Sequence, residues 1–401
     1  MQQSLDPLLR AARESLRRGD APAACRILEQ AARAQPDSSA IAFDLGHVYG
    51  VLGRFEDAAQ QFARAVAWPG QEGRTWYALG YALGELGAWE KAACAMLVAA
   101  RADPQQLEAL GSAGECAHRL ALSGARAPLP SRVGRDRASG KISVVVCSID
   151  PAKLQRLRAS LDRQLAGEDW ELVHIADARS LCEGYNRGIA RASGDLLVLC
   201  HDDIEILGTD FAAKLRGHLG TYDLIGVAGS TLASGPAWSW SGAPNIFVSV
   251  AYPQAPHGRG VALSFCGTSG PIVEGAQLLD GVFLAMRRSL LERVAFDEAT
   301  FDGFHFYDLD FSYRAWSAGA RTAICRDIVL LHQSRGTFKA EYRHYAERYR
   351  QKFPQACTAP MSEAAKLPEI LVDERESLDA VVEWLNHFLR QETGALKAAV
   401  I

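Results

Sequence analysis

The sequence predicts two structural classes in succession: an all-α helical repeat over residues 1–125 and an α/β domain over residues 141–354. A linker at 126–140 joins them, and a connector with an amphipathic helix follows at 355–401. Three observations carry this reading. Small residues recur with a period of 34 in the first part, β-branched runs alternate with helix-spaced segments from Lys141 onward, and the apolar run Leu196–Cys200 stops abruptly at acids. A repeat at a fixed period sets the architecture before any single element is read, and strand–helix alternation implies parallel strands joined by crossover helices.

The repeat is explicit in its residues. Leu45-Gly46 returns as Leu79-Gly80, Gly19, Gly53 and Gly87 keep the same step, and Ala24, Ala58 and Ala92 follow it. Small side chains let paired helices approach, a glycine serves the turn between them, and Pro36, Pro69 and Pro104 close the units because proline cannot continue the hydrogen-bond ladder. With Trp76-Tyr77-Ala78-Leu79-Gly80 and Ala92-Ala93, the pattern resembles tetratricopeptide repeats. About three units are visible, and Gln105 to Leu122 reads as a terminal helix. The resemblance implies a concave groove for a protein partner; a spacer or a homodimer contact is the plainer use of the same surface. The following Pro-, Gly- and Arg-rich stretch up to Gly140 is the linker.

From Lys141 the expected order is a strand at Ile142–Cys147, a helix at Leu154–Leu165, a strand at Trp170–Ile175, a helix at Cys182–Ala192 and a strand at Leu196–Cys200. Residues 230–276, rich in Gly, Pro and Ser with Trp238, Trp240 and Tyr252, show no periodicity and read as a long irregular insertion. Pro354–Pro368 reads as a connector, and Glu374–Gln391 as one amphipathic helix packed on the surface.

Composition narrows the function. At 401 residues the chain exceeds a single core, and 48% hydrophobic with 22% charged residues is ordinary for a globular protein. A net charge of -4 offers no basic face for nucleic acid, so phosphate recognition has to be local. The nine cysteines are scattered, odd in number and never in a CxxC pair, which fits reduced thiols in the cytoplasm. No apolar run approaches the ~20 residues of a membrane helix, so any membrane association is expected to be peripheral, at the inner face, or mediated by a partner.

The acids carry the chemistry. His201-Asp202-Asp203-Ile204-Glu205 follows a buried strand, where open α/β sheets keep their ligands. Ser148-Ile149-Asp150, Asp177, Asn186-Arg187-Gly188, Asp280-Gly281, Tyr307-Asp308-Leu309-Asp310 and His332 accompany it in that chain order, apart from the acid motif itself, which stands between Gly188 and Asp280. In order and placement these resemble a family 2-type nucleotide-sugar glycosyltransferase with the GT-A fold, a Rossmann-like mixed sheet. The resemblance implies a donor site from Ser148, Asp150, Asp177, Asn186, Arg187, Asp202, Asp280 and Gly281, with Asp177 reading uracil and therefore a UDP-sugar preferred over GDP or dTDP donors. It implies Asp203 and His332 as ligands of a divalent cation, manganese first and magnesium second, and Asp308 as the base of an inverting transfer. The family commonly has Glu where this chain has Tyr307.

The physical logic agrees. A diphosphate leaves well only when its charge is neutralised, which a cation on hard oxygen ligands accomplishes. Manganese accepts imidazole beside carboxylate, and inversion needs one carboxylate to take the acceptor's proton. Asp310 and Asp195 read as structural. Trp238 and Trp240 divide between a platform for a sugar ring and ordinary packing, Arg335 and Lys339 between a loop over the diphosphate and a solvated patch, and His305 has a weak claim near the acceptor, which is a glycan or a protein hydroxyl. Two other classes compete. One is an inactive nucleotide-binding scaffold, which would have no chemical need for Asp203, Asp308 and His332 together. The other is a nucleotidyltransferase, which would place glycine after the first strand where Ser148-Ile149-Asp150-Pro151 has none.

Overall fold

The computed structural model describes residues 5–68, 70–128, 137–254, 260–267, 270–335, 340–358 and 367–401. The chain forms two compact units, one of residues 1–125 with 391–401 and one of residues 126–390.

The first unit is helical: α1 (Leu5–Arg17), α2 (Ala21–Ala34), α3 (Ser39–Val51), α4 (Phe55–Ala65), α5 (Glu72–Glu85), α6 (Trp89–Ala102) and α7 (Leu107–Leu122). Its period has a direct physical cause. Gly19, Gly53 and Gly87 each follow the first helix of a pair and adopt φ of 81°, 72° and 73°, the left-handed region that ends helices and that side chains with a Cβ avoid. Ala24, Ala58 and Ala92 are fully buried between helices. A Cβ on Gly46 or Gly80 would stand 2.9 Å from the Phe62 ring or 3.0 Å from Met96, so glycine sets the helix spacing there. Pro69 lies outside the described residues.

The second unit opens with β1 (Ile142–Cys147), α8 (Pro151–Gln164), β2 (Trp170–Ile175), α9 (Leu181–Arg191) and β3 (Leu196–Cys200). Then follow β4 (Ile204–Leu207), α10 (Phe211–Thr221), β5 (Leu224–Gly226), β6 (Ala228–Ser230), β7 (Ile246–Pro253), β8 (Val261–Cys266), β9 (Ile272–Glu274), β10 (Leu278–Leu279) and β11 (Phe283–Arg287). The unit continues with α11 (Tyr307–Ser317), β12 (Thr322–Cys325), β13 (Val329–His332), α12 (Ala340–Lys352), β14 (Glu369–Val372) and α13 (Leu378–Leu389). One sheet runs β2-β1-β3-β11-β5-β12-β9, with β2, β1 and β3 mutually parallel and β11 antiparallel to β3. The second runs β10-β6-β7-β13-β4, with β8 on β7 and β14 on β8. The chain leaves the first sheet at Cys200 and enters the second at Ile204, so His201, Asp202 and Asp203 make the crossing between them.

Two sequence expectations are corrected. Residues 230–276 are not an irregular insertion: they contribute β6, β7, β8 and β9 to the sheets. Both faces of β7 and β8 are largely buried, so the alternation that reveals a half-exposed strand is absent. The helix expected at Glu374–Gln391 is present as α13, but it is buried and not a surface element, and a strand and a further helix flank it. β14 pairs antiparallel with β8, and α13 buries Leu378, Val381, Val382, Trp384, Leu385, Phe388 and Leu389. A separate α14 (Thr393–Val400) packs on α6, with Leu396 buried and the Lys397 ammonium 5.9 Å from the centre of the Trp76 ring.

Candidate active site

Strand pairing assembles the site. β3 and β11 are antiparallel with Cys200 opposite Phe283, and the His201 amide extends the ladder by donating to the Val282 carbonyl at 3.2 Å. Asp280 and Gly281 therefore lie at the same sheet edge as the acids after β3. In the second sheet His332 is the register partner of Ile204, and the Gln333 amide donates to the Asp203 carbonyl at 3.0 Å. Asp203 and His332, 129 positions apart in the chain, become neighbours through this one antiparallel pair.

The result is a convergence of His201, Asp203 and His332, whose ligand atoms all lie within 4.8 Å of one another. His332 Nε2 is 3.1 Å from Asp203 Oδ1 and 3.2 Å from His201 Nδ1. The Ser334 hydroxyl donates to Asp203 Oδ2 at 2.8 Å. Burial alone would raise the Asp203 carboxyl, but its hydrogen bond to His332 and that ring's charge outweigh this and hold it below the ordinary carboxylate range. Burial, then the neighbouring His332, lowers His201 below an ordinary imidazole. Two ring nitrogens facing one carboxylate oxygen is a donor set that suits a divalent cation tolerant of imidazole, such as manganese.

Asp202 turns the other way. It accepts from the Ser148 hydroxyl at 2.7 Å, and Lys153 Nζ bridges the acids at 3.7 Å from Asp202 Oδ1 and 3.5 Å from Asp203 Oδ2. The Ser148 carbonyl accepts from His174 Nε2 at 2.7 Å, which fixes the loop after β1. Asp150 caps α8 by accepting from the Ala152 and Lys153 amides at 2.8 and 3.1 Å. These backbone donors hold its carboxyl below the usual value. Asp177 pairs with Arg187 at 2.9 Å, and Arg187 also meets Glu183 at 3.1 Å. The Asn186 amide nitrogen donates to the Phe296 carbonyl at 3.0 Å and so anchors a loop.

Facing the acids is the start of α11. Phe306, just before it, takes a left-handed conformation with φ of 67°, which costs about 1–3 kcal/mol for a residue of this type. Stacking on Phe301 and tilted ring contacts with Tyr342 and Tyr349 hold it there. The turn presents Tyr307 and Asp308. Asp308 Oδ2 accepts from the Gly281 amide at 2.7 Å. Burial, followed by the nearby Asp280 charge, pushes the Asp308 carboxyl up to about 7. Asp280 itself accepts from Trp238 Nε1 at 2.8 Å and from the Val282 amide at 2.9 Å.

Gly281 has a clear steric role: a Cβ there would lie 1.9 Å from the Tyr307 hydroxyl. The space is filled by this chain's own tyrosine. Asp310 is fully buried against Arg314 and Lys352 and ties α11 to α12. Trp240 packs on Gly235, His305 lies against Tyr342, and Arg335 pairs with Glu369 at 2.9 Å over the Tyr252 ring. Lys339 lies outside the described residues. Sequence reasoning missed His201 and Lys153. His201 was legible in principle, as an imidazole directly before two acids, whereas Lys153 becomes a neighbour of those acids only once α8 is capped at Asp150.

A profile of the family described as "Glycosyltransferase like family" matches residues 143–355, more than half of the chain, and a tetratricopeptide repeat profile matches residues 15–80. The chain belongs to this glycosyltransferase-like family, and tetratricopeptide repeats precede the matched segment. No curated protein matches it. Among solved structures it is similar to YrrB, described as a TPR protein with an unusual peptide-binding site, at 22% identity and a TM-score of 0.27, over 29% of this chain and 59% of that one. A mutant O-GlcNAc transferase of Thermobaculum terrenum overlaps at 23% identity and 0.26, over 42% and 36%. GalNAc-T7 with UDP, GalNAc and Mn2+ overlaps at 12% identity and 0.34, over 49% and 44%.

Proposed function

We propose that the protein is a metal-dependent inverting glycosyltransferase that moves a sugar from a nucleotide-sugar, with a UDP-sugar preferred, to a glycan or protein hydroxyl. The single observation that supports it most is the convergence of His201, Asp203 and His332 beside a carboxylate, Asp308, whose affinity for protons is raised to the neutral range. Asp203, His201 and His332 would hold a divalent cation, which when bound would supply charge neutralisation for the diphosphate leaving group. Asp203 contributes the hard anionic ligand, and the two imidazoles favour manganese over magnesium.

Asp308 takes the proton of the acceptor hydroxyl at Oδ1 while Oδ2 remains bonded to the Gly281 amide. A base near neutrality balances availability against proton-accepting strength. Ser148 and Asp202 hold the ribose side of the donor, and Lys153 adds positive charge where the phosphates lie. Asp177 and Arg187, paired with each other, give the base of the nucleotide one acceptor and one donor. Asp280, braced by Trp238, faces the sugar. The helical repeats recruit the acceptor or a protein partner, and the free cysteines support a reducing, cytoplasmic setting.

The test is donor hydrolysis and transfer by Asp308→Asn. With a panel of UDP-, GDP- and dTDP-sugars, the variant is expected to keep nucleotide affinity within about twofold and to lose turnover by at least ~100-fold. Loss of nucleotide binding, with turnover of bound donor intact, would move Asp308 out of the base role.

A further inference from the structure

We propose that Tyr307 is a positioning residue for the metal centre: its hydroxyl accepts the Nε2 proton of His201 and thereby keeps the Nδ1 lone pair of that ring directed at the cation. This rests on the metal-centre reading above. His201 Nε2 lies 3.0 Å from Tyr307 Oη, and His201 Nδ1 lies 3.2 Å from His332 Nε2.

The tautomer follows from the neighbours. His332 Nε2 faces the Asp203 carboxylate, which accepts only, so that nitrogen carries a proton when no cation is bound. His201 Nδ1, facing the same N–H, then presents a lone pair, and its proton resides on Nε2, toward Tyr307. A cation held by Asp203, His201 and His332 would require the His332 Nε2 proton to be released to solvent but no change at His201. The ring is therefore set for coordination before the cation arrives, which is what a partner on the second nitrogen of a ligating histidine accomplishes.

The surroundings fix the tyrosine in turn. Its ring is buried against Tyr185 and Phe296. Its hydroxyl occupies space that only glycine at 281 leaves open. Gly281 also donates its amide to Asp308, the next residue along α11. The metal ligand and the base are thus joined through Tyr307, Gly281 and Asp308. A glutamate at 307 would bring another negative charge to this junction, whereas the phenol accepts a hydrogen bond from the His201 Nε2–H while staying neutral.

The experiment titrates Mn2+ alone into the full chain and counts coordinated imidazole nitrogens by pulsed electron paramagnetic resonance. Wild type is expected to show two imidazoles. Tyr307→Phe, which removes only the hydroxyl, is expected to bind Mn2+ on the order of tenfold more weakly and to lose part of one imidazole signal. Tyr345→Phe, whose hydroxyl donates to Asp302 instead, is expected to match wild type. In a His201→Ala background the Tyr307→Phe change is expected to add nothing, since coupled residues are not additive. Tyr307→Phe with wild-type affinity and two imidazoles would overturn the proposal, as would a wild-type signal from one imidazole only. Absence of Mn2+ binding by folded wild type would instead remove the centre itself.

Discussion

In the proposed mechanism Asp308 carries the proton transfer and a stability cost in the same carboxyl. Its affinity for protons is raised to about 7 from ~3.9 in an unfolded chain. Between these values the unfolded state binds fewer protons than the folded one, so stability falls as pH rises through that window and levels off above it. Asp308→Asn removes the effect while keeping an oxygen acceptor for the Gly281 amide. Its thermal midpoint is expected to exceed that of wild type by more at pH 8.5 than at pH 5, as differential scanning fluorimetry would show. In wild type, transfer is expected to rise with pH through about 7 as the base ionises. A flat profile would assign proton removal to another group. At the neighbouring position, Gly281→Ala forces the new methyl onto the Tyr307 hydroxyl and is expected to cost about 1–3 kcal/mol in denaturant unfolding. Much of this was legible in the sequence, since Asp203, Asp308 and His332 stand out as an acid after a strand, an acid at a helix start and a histidine after a strand. The function of Gly281 was not. A sequence cannot tell a glycine that admits substrate from one that admits a tyrosine 26 positions away.

At the scale of elements, α11 presents Asp308 and its fixation is ionic. Asp310 is fully buried and meets both Arg314 and Lys352, while Lys352 also meets Asp297 at 2.6 Å. Removing one member of such a cluster leaves charge without its partner. Asp310→Ala is expected to destabilise the α/β unit by about 3 kcal/mol, the lower part of the range for buried pairs because Arg314 and Lys352 retain solvent access. An unfolding free energy unchanged from wild type would contradict this. Compact apolar runs bounded by turn residues were readable: β1, β2 and β3 fall where those runs put them, although β1 and β3 are buried along nearly their whole length, and α8 was legible from Leu154 but starts three residues earlier, at the proline after its Asp150 cap. β7 and β8 were not, because the glycines, prolines and serines around them read as loop and hide apolar runs of the kind that marked β1 and β3. β14 is four residues long, and only its pairing with β8 identifies it.

For the whole molecule, the chain's last helix belongs to the first unit. Arg101 donates to the Gln391 carbonyl at 2.8 Å and to the Thr393 hydroxyl at 3.1 Å, and Leu396 is buried against the repeats. Truncation after Arg390 is therefore expected to lower the unfolding temperature of the helical repeats and leave the α/β unit unchanged, which calorimetry of the two transitions would resolve. Sequence periodicity could not reveal this, since α14 departs from the 34-residue pattern it completes. The central claim concerns the other unit: nucleotide is held through a cation on Asp203, His201 and His332. Titration of the full chain with UDP, GDP and dTDP, each with manganese and with chelator, tests it most directly when repeated on Asp203→Ala. The account predicts tight binding of UDP with manganese, and its loss both in chelator and in the variant. Binding that ignores manganese and survives Asp203→Ala would contradict it.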